Sequence, residues 1–314
     1  MTNNQPKPQL TPIGSAQAAA ALAPVTHIYS DLDGTLFAPG GRLLADHAGR
    51  PSFALAKALV ALQEAGIEVI ISTGRNGSQG HEILRLLGLT TFIGELGTLA
   101  IEGTGALAKK RYFLGDWANV ALAPGLPPGV LPAGLTPYQL IIQSGAVEQL
   151  LAAFPGQLED HGFVVGSESD VTVVFRGNLD THAANALLAA APLPLQLVDN
   201  GIIHPLSHTL VNCDEVHIYH LVPLGTSKAA GVAADMAARG LSAAQTVAIG
   251  DSLSDIGMGD HTGSFVMMAN GLDSTAVWPR LAKRHQAGQL TFSTREKTAD
   301  GWVEFAHALL AAKG

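Results

Sequence analysis

The chain has very little cysteine, no long apolar stretch and a deficit of positive charge. Its 314 residues include one cysteine, Cys213, which excludes an internal disulfide and a zinc site built from several cysteines. No apolar run reaches the ~18 residues of a membrane-spanning helix. Lysine and arginine total 18 against 26 aspartates and glutamates, a net charge of −8. Nucleic acids and anionic membranes favour basic surfaces, so we expect a cytoplasmic protein that binds neither.

Apolar residues, in contrast, make up 47% of the chain and allow a sizeable core. Near the start, β-branched strand patterns such as Val25–Ser30 and Ile67–Ser72 alternate with helical patterns such as Ser52–Ala65. This alternation predicts a parallel sheet with right-handed crossovers. The preceding residues, 1–24, are rich in Asn, Gln, Pro and Ala. We expect them to form a flexible tail rather than a signal peptide.

The middle of the chain breaks this pattern. A Pro/Gly-rich segment over residues 121–137 excludes regular structure there, and mixed strand and helix patterns follow. The alternation resumes in the last third of the chain. We therefore predict an α/β fold with a Rossmann-like parallel-sheet core, formed by residues 25–76 and 212–314. Residues 77–211 are predicted to be an inserted region that includes an α+β cap domain.

Two carboxylates, Asp31 and Asp33, follow the first predicted strand, with Gly34 and Thr35 directly behind them. Residues i and i+2 of a strand point to the same side, and the carboxyl end of such a strand opens into the ligand crevice of an α/β sheet. Two acids there can hold a divalent cation, and one can act as a nucleophile while the other transfers protons. Asp-Gly is also a common turn dipeptide, so this segment alone leaves both interpretations open.

Three later segments stand at a predicted strand end or helix start. Hydroxyl and backbone N–H groups of Ser72–Gly74 indicate a place for a phosphate. Lys228, at the start of a predicted helix, can reach a phosphate as a point charge. Asp251 and Asp255 can orient a cation near the first turn of another helix, the alternative being N-capping. Together the segments predict one crevice with acids, hydroxyls and a lysine.

In this order the segments resemble the four motifs of the haloacid dehalogenase superfamily of phosphohydrolases. The matching residues are Asp31–Leu36 (DLDGTL), Ser72–Arg75 (STGR), Gly225–Lys228 (GTSK) and Gly250–Asp255 (GDSLSD). The long insertion between the second and third motifs resembles the Cof-like branch, whose members carry a type IIB α/β cap. Sugar-phosphate phosphatases belong to the same branch. The resemblance therefore implies a haloacid dehalogenase-like core, a cap domain and phosphoryl chemistry.

The resemblance also implies catalytic roles for individual residues. Asp31 would be the nucleophile that forms an aspartyl-phosphate, and Asp33 would protonate the leaving oxygen and then activate water. Thr73 and the neighbouring Gly74 would bind the transferring phosphoryl group, with Ser72 as the alternative hydroxyl. Lys228 would neutralise the charge of the nucleophile and the phosphate.

The same resemblance implies a metal site and further contacts. Mg²⁺ would be held by Asp31, the backbone carbonyl of Asp33, and Asp251, with Asp255 as a ligand or directly behind the ligands. Asn270 matches an asparagine that follows the fourth motif in this branch, and we expect it to contact the substrate. The ligands are oxygen atoms, the donors that Mg²⁺ prefers in proteins.

Three residues bear on the substrate. Ser254 and Glu95 replace residues that are usually asparagine in the branch, and both changes are expected on the substrate side. Arg176 closes a predicted cap strand and is a candidate substrate contact, the alternative being a role within the cap.

The expected function is Mg²⁺-dependent hydrolysis of a small phosphorylated metabolite, such as a sugar phosphate. A phosphomutase with the same core and cap is one alternative, and a non-catalytic binding protein on the same scaffold is another. A transition-metal site could also use the four histidines between residues 204 and 220, although the acid-lined magnesium site already accounts for the motifs.

Overall fold

The computed structural model describes residues 7–161, 169–205, 207–211 and 213–314. The strands, in chain order, are β1 (Thr11–Pro12), β2 (His27–Ser30), β3 (Glu68–Ser72), β4 (Thr91–Gly94), β5 (Leu99–Glu102), β6 (Lys109–Tyr112), β7 (Leu158–Asp160), β8 (Val173–Gly177), β9 (Leu195–Ile203), β10 (Val216–Pro223), β11 (Thr246–Gly250), β12 (Ser264–Met267) and β13 (Thr291–Ser293). The α-helices are α1 (Ala16–Leu22), α2 (Ala54–Glu64), α3 (Gly77–Leu87), α4 (Pro137–Gln143), α5 (Ala146–Ala153), α6 (Thr181–Leu188), α7 (Lys228–Arg239), α8 (Leu253–Ile256), α9 (Trp278–Gln286) and α10 (Thr298–Ala311). Among these described helices, none is long and apolar enough to cross a membrane.

The larger sheet, over the described residues, has the strand order β1-β13-β12-β11-β2-β3-β4-β5-β6. Its strands pair in parallel except at one edge, where β5 pairs antiparallel with both β4 and β6. The register places Ser30 at the end of β2 beside Ile71 of β3 and Ile249 of β11. Three carboxyl ends therefore meet at the middle of one sheet edge, where open α/β sheets bind ligands. The predicted parallel-sheet core is confirmed.

The cap is built on a second, antiparallel sheet with the order β7-β8-β10-β9. Helices α4, α5 and α6 cover one face of this sheet. Phe175 of β8, Leu197 of β9 and Leu221 of β10 are buried in the cluster between them. The cap thus has its own hydrophobic core, and the predicted separate cap domain is confirmed.

The boundary between core and cap differs from the prediction. Residues 77–112, predicted to belong to the inserted region, form α3 and three strands of the core sheet. Conversely, β10 was expected in the core that resumes at residue 212, and it pairs with β8 and β9 in the cap. An apolar strand such as Val216–Pro223 suits either sheet, because its sequence does not specify which strand it will pair with.

The described part of the predicted flexible tail, residues 7–24, is also ordered differently from the prediction, because it contains a strand and a helix. Strand β1 pairs in parallel with β13, and Ile13 behind it is buried. Helix α1 begins after Ser15, whose hydroxyl accepts a hydrogen bond from the nitrogen of Ala18 at 3.1 Å. It buries Ala18 and Leu22 in the core. This segment is therefore part of the core, because a short Ala-rich helix needs tertiary packing that composition does not reveal. Residues 1–6 lie outside the described part of the chain.

Candidate active site

The carboxyl ends of β2, β3 and β11 bring three sequence motifs together. The nitrogen of Asp31 donates to the carbonyl oxygen of Ile249 at 3.0 Å, which fixes the loop after β2 against β11. The nitrogen of Thr73, after β3, donates to the carbonyl oxygen of Ile93 at 2.9 Å. Parallel pairing therefore places the first, second and fourth motifs side by side at one edge.

Lys228 joins this group from the first turn of α7. Its Nζ donates to Oδ1 of Asp31 at 2.7 Å and to Oδ1 of Asp255 at 2.6 Å. The lysine is only 4% exposed. Burial acts to lower the pKa of Lys228, but the two carboxylates outweigh it and raise this pKa above its usual range. Lys228 is therefore a buried cation that binds the carboxylates of Asp31 and Asp255.

Asp31, Asp251 and Asp255 form a compact carboxylate group. One oxygen of each lies within 4.8 Å of the others. Burial, reinforced by Asp255 and opposed by Lys228, raises the pKa of Asp31 to about 7. Burial and the charges of Asp31 and Asp255 likewise raise the pKa of Asp251 well above its usual value. Oxygen ligands at this spacing fit a hard divalent cation, which would relieve the repulsion.

Asp255 also fixes the loop before α8. Its Oδ2 accepts hydrogen bonds from the nitrogen of Asp251 at 3.2 Å, and from the nitrogen and hydroxyl of Ser252 at 2.9 and 2.6 Å. Since Oδ1 binds Lys228, both oxygens have protein partners. Asp255 therefore fits a place behind the metal ligands better than a place among them.

Asn270 holds Asp251 from the other side. Its Nδ2 donates to Oδ2 of Asp251 and to the carbonyl oxygen of Gly34, both at 2.9 Å. Gly34 has φ of 83°, and a Cβ there would lie 2.4 Å from Oδ2 of Asp251, so a side chain would clash. Asn270 is absent from the described lining of the crevice. The structure thus places this predicted substrate contact beside Asp251, a predicted metal ligand.

Asp33 stands at the open side of the site. Its carboxylate binds the guanidinium of Arg75 through two hydrogen bonds, at 2.8 and 2.6 Å. The Asp33 side chain is 53% exposed, so it can meet a ligand that enters the crevice. Arg75 was not predicted as a site residue, although it closes the second motif.

A crevice of about 540 Å³ lies between the core edge and the cap. From the core it is lined by Asp31, Asp33, Thr73, Gly74, Arg75, Asn76, Gln79, Lys228, Asp251 and Ser252, and from the cap by His161, Ser169, Val174, Asn200, Gly201, Ile202, Ile203, Ile218 and His220. Ser72 lies below this surface: it is fully buried, and its hydroxyl has no partner among the described residues. Thr73, rather than Ser72, is therefore the residue of this pair that lines the crevice.

The predicted cap contact, Arg176, is engaged elsewhere. Its Nε binds Oε1 of Glu159 at 2.5 Å, and Oε2 of Glu159 accepts a hydrogen bond from the nitrogen of Thr209 at 2.7 Å. Arg176 shares a face of β8 with Val174, but only Val174 is among the described lining residues. The polar cap residues that reach the crevice, including Asn200 and His220, were not predicted. The alternation of side chains along a strand indicates which residues share a face, but the face that meets the crevice is known only once the strand pairing is known.

Glu95 does not face the substrate side, where it was expected. It is fully buried, and its carboxylate accepts hydrogen bonds from three consecutive backbone nitrogens of the cap. The donors are Asp170, Val171 and Thr172, at 2.8, 2.8 and 2.7 Å. Burial raises the pKa of Glu95, and these hydrogen bonds oppose that shift. Glu95 therefore joins the core to the cap.

The four histidines between residues 204 and 220 do not belong to any group of three potential metal ligands found within the described part of the chain. The group of Asp31, Asp251 and Asp255 is the one set there that brings three potential ligand atoms together.

Comparisons with known proteins agree with this geometry. No curated protein sequence matches the chain. In fold, it is similar to a Thermoplasma acidophilum protein (13% identity, 91% of this chain and 98% of that one, TM-score 0.56) and to a phosphatase of the haloalkanoate superfamily from Bacteroides thetaiotaomicron (16%, 100% and 98%, 0.54). It is also similar to the sucrose-phosphatase of Synechocystis sp., solved with sucrose and phosphate (15%, 90% and 97%, 0.53).

Sequence comparison goes beyond fold. A family profile described as haloacid dehalogenase-like hydrolase matches residues 28–113 and 204–276, slightly more than half of the chain. The matched segments contain all four motifs and the core strands that carry them. The chain therefore belongs to the haloacid dehalogenase-like hydrolases, as its motifs predict.

Proposed function

We propose that this protein is a Mg²⁺-dependent phosphatase that hydrolyses a small phosphomonoester through an aspartyl-phosphate on Asp31. The observation that supports this most directly is the position of the Asp31 carboxylate, between the cation of Lys228 and the carboxylate of Asp251 at the base of the crevice. Phosphoryl transfer depends mainly on positioning and charge neutralisation, and this site supplies both.

The chain's own residues suffice for the two proton transfers. Thr73 and Gly74 hold the phosphoryl group, and an oxygen of Asp31 forms a bond to phosphorus as the bond to the leaving oxygen breaks. Asp33, which takes up a proton from solvent on leaving Arg75, gives this proton to that oxygen and then takes a proton from the water that attacks the aspartyl-phosphate. Lys228 balances the charge of Asp31 throughout. Bound Mg²⁺, held by Asp31, Asp251 and the backbone carbonyl of Asp33, would neutralise phosphate charge.

Asp33 must exchange its partner for this chemistry. In the structure its carboxylate binds Arg75, and the entering phosphate offers Arg75 an alternative bidentate anion. Release from Arg75 would leave Asp33 facing the leaving oxygen. Arg75 would then act as a phosphate contact that also controls its neighbouring acid.

The substrate is proposed to be a sugar phosphate or a related small metabolite. A crevice of about 540 Å³ is in the range that holds small molecules, and the cap covers it. The Synechocystis protein with a similar fold is named a sucrose-phosphatase and was solved with sucrose and phosphate. Fold likeness alone does not transfer a substrate, so the crevice itself must be tested.

The decisive experiment is a phosphate-release assay on metal-stripped protein, with and without Mg²⁺, against a panel of phosphorylated metabolites. We expect release that depends on Mg²⁺ and a loss of several decades of kcat in Asp31→Asn, at about 1.36 kcal/mol per decade. Acid quenching should trap labelled phosphate on the wild-type protein only. Retention of more than about a tenth of kcat would contradict the role of Asp31. Isomerised ester without free phosphate would identify a mutase.

A further inference from the structure

The two halves of the crevice differ in charge. Every charged side chain in its described lining comes from the core: Asp31, Asp33, Arg75, Lys228 and Asp251. The described cap residues contribute the apolar side chains of Val174, Ile202, Ile203 and Ile218, and the polar side chains of His161, Ser169, Asn200 and His220. The part of a substrate that extends from the phosphate toward the cap therefore meets an uncharged surface with apolar and hydrogen-bonding parts.

His220 is the most buried polar residue of that surface. It lies on β10, is 3% exposed, and its Nδ1 has no hydrogen-bond partner among the described residues. Burial, followed by the charges of Lys228 and His161, lowers the pKa of His220 to about 3. The imidazole is therefore neutral at physiological pH and offers one donor and one acceptor.

Asn200 and His220 both lie directly over Gly74, in the loop that is proposed to hold the phosphoryl group. A Cβ added to Gly74 would lie 2.7 Å from Nδ2 of Asn200 and 3.4 Å from Nε2 of His220. Gly74 follows Thr73, the proposed phosphoryl contact. The cap thus places an amide and a neutral imidazole where the first groups beyond the ester oxygen must lie.

The cations of the crevice are already paired. Lys228 binds Asp31 and Asp255, and Arg75 binds Asp33 through both of its oxygens. Once the phosphate has engaged these cations, a second anionic group on the leaving side would meet no unpaired positive charge among the described lining residues. Burying such an anion without a partner is costly, whereas a hydroxyl matches the donors and acceptors of Asn200 and His220.

We propose that Asn200 and His220 bind uncharged hydroxyl groups of the leaving group, so that the enzyme selects sugar or polyol phosphates over phosphate esters of hydroxy acids. This inference rests on the proposed phosphatase function. The aliphatic side chains of β8 to β10 complete the site, since they can pack against the C–H faces of a polyol.

The test compares pairs that differ by one carboxylate: glucose 6-phosphate with 6-phosphogluconate, and glycerol 3-phosphate with 3-phosphoglycerate. We expect kcat/KM to favour the uncharged member of each pair by at least about tenfold, or ~1.4 kcal/mol. Equal or reversed preference overturns the proposal. Hydrolysis of p-nitrophenyl phosphate without turnover of either uncharged member also overturns it. If neither the four metabolites nor p-nitrophenyl phosphate is hydrolysed with Mg²⁺, the proposed phosphatase function fails, and this inference fails with it.

Variants assign the selectivity to the two residues. His220→Leu should lower the preference for glucose 6-phosphate over p-nitrophenyl phosphate by about tenfold, and His220→Gln should restore most of it. Asn200→Lys should shift preference toward 6-phosphogluconate. The control is His217→Leu on the same strand, since His217 is outside the described lining and pairs with Asp199. Parallel losses on all substrates in the His220 and Asn200 variants would mean that these residues only support the fold, which overturns their role.

Discussion

The carboxylate of Glu95 accepts a hydrogen bond from the backbone nitrogen of Val171 at 2.8 Å, and this contact joins the core to the cap. Its neighbours Asp170 and Thr172 donate to the same carboxylate. The Asp170 side chain in turn binds Nζ of Lys110 on core strand β6, at 2.8 and 2.9 Å. The segment that leads into β8 is thus held by the core at two points, which sets the position of the cap over the crevice.

We expect Glu95→Gln to loosen this attachment. Glutamine replaces one acceptor oxygen with an NH₂ group that faces N–H donors, and a hydrogen bond to a charged group contributes ~1.5–3 kcal/mol. Amide hydrogen exchange at Asp170–Thr172 should accelerate by at least about tenfold. The matched control is Glu82→Gln, which removes an exposed ion pair with Arg85. Unchanged exchange at the three amides, or equal acceleration throughout the core, would show that Glu95 does not hold the cap.

A divalent cation should stabilise the protein as well as activate it. The carboxylates of Asp31 and Asp251 lie close together. Burial and the charge of Asp255 raise the pKa of Asp31, and burial and the charges of Asp31 and Asp255 raise the pKa of Asp251. Mg²⁺ at 100 times its Kd should add ~2.7 kcal/mol to the free energy of unfolding, and Asp251→Asn should abolish this gain. Ca²⁺ accepts more ligands at longer distances, so we expect it to bind but not to support turnover.

The measurement is urea unfolding of metal-stripped protein with each ion, followed by activity assays on the same samples. Asp273→Asn serves as the control, because Asp273 is exposed and outside the carboxylate group. Full activity with Ca²⁺, or equal stabilisation of the Asp251→Asn protein by Mg²⁺, would disprove the predicted ligand set.

Removal of the Lys228 charge should destabilise the protein. Lys228→Met leaves Asp31 and Asp255 buried without their cation, and breaking a buried ion pair in this way costs about 3–5 kcal/mol. The double variant Lys228→Met/Asp255→Asn removes one of the two orphaned charges and should recover part of the loss. Urea unfolding of both proteins without metal checks this. A double variant that is less stable than the single one would contradict the electrostatic explanation.

The stability of the protein should fall in acid because of His220. Its pKa is about 3 in the folded protein against 6.5 for an ordinary histidine, so the unfolded state binds more protons between these values. Stability from this group is complete above pH 6.5 and is lost as the pH falls toward 3. Linkage gives a loss of about 2 kcal/mol between pH 7 and pH 5. His220→Gln should lack this component, as measured by urea unfolding at both pH values; an identical pH dependence in the two proteins would refute it.

Sequence by itself determined the chemistry at the core edge. Asp31 directly follows β2, Thr73 follows β3 and Asp251 follows β11. Lys228 is the first residue of α7. The carboxyl ends of adjacent parallel strands meet by geometry, so residues more than a hundred positions apart could be placed in one crevice from local patterns. The family assignment followed from the same motifs, because their residue types and order are demanded by phosphoryl chemistry.

Tertiary structure decided everything that depends on which surfaces meet. Strand β10 resembles a core strand in its sequence, but it pairs with β8 and β9 in the cap, and this pairing places His220 in the lining of the crevice near Gly74. Arg176 looked available for a substrate, but Glu159 on the neighbouring strand binds it. Glu95 looked like a substrate residue and instead binds three cap amides. In each case the partner lies far away in the sequence or on another strand, and no local pattern encodes the pairing that brings it close.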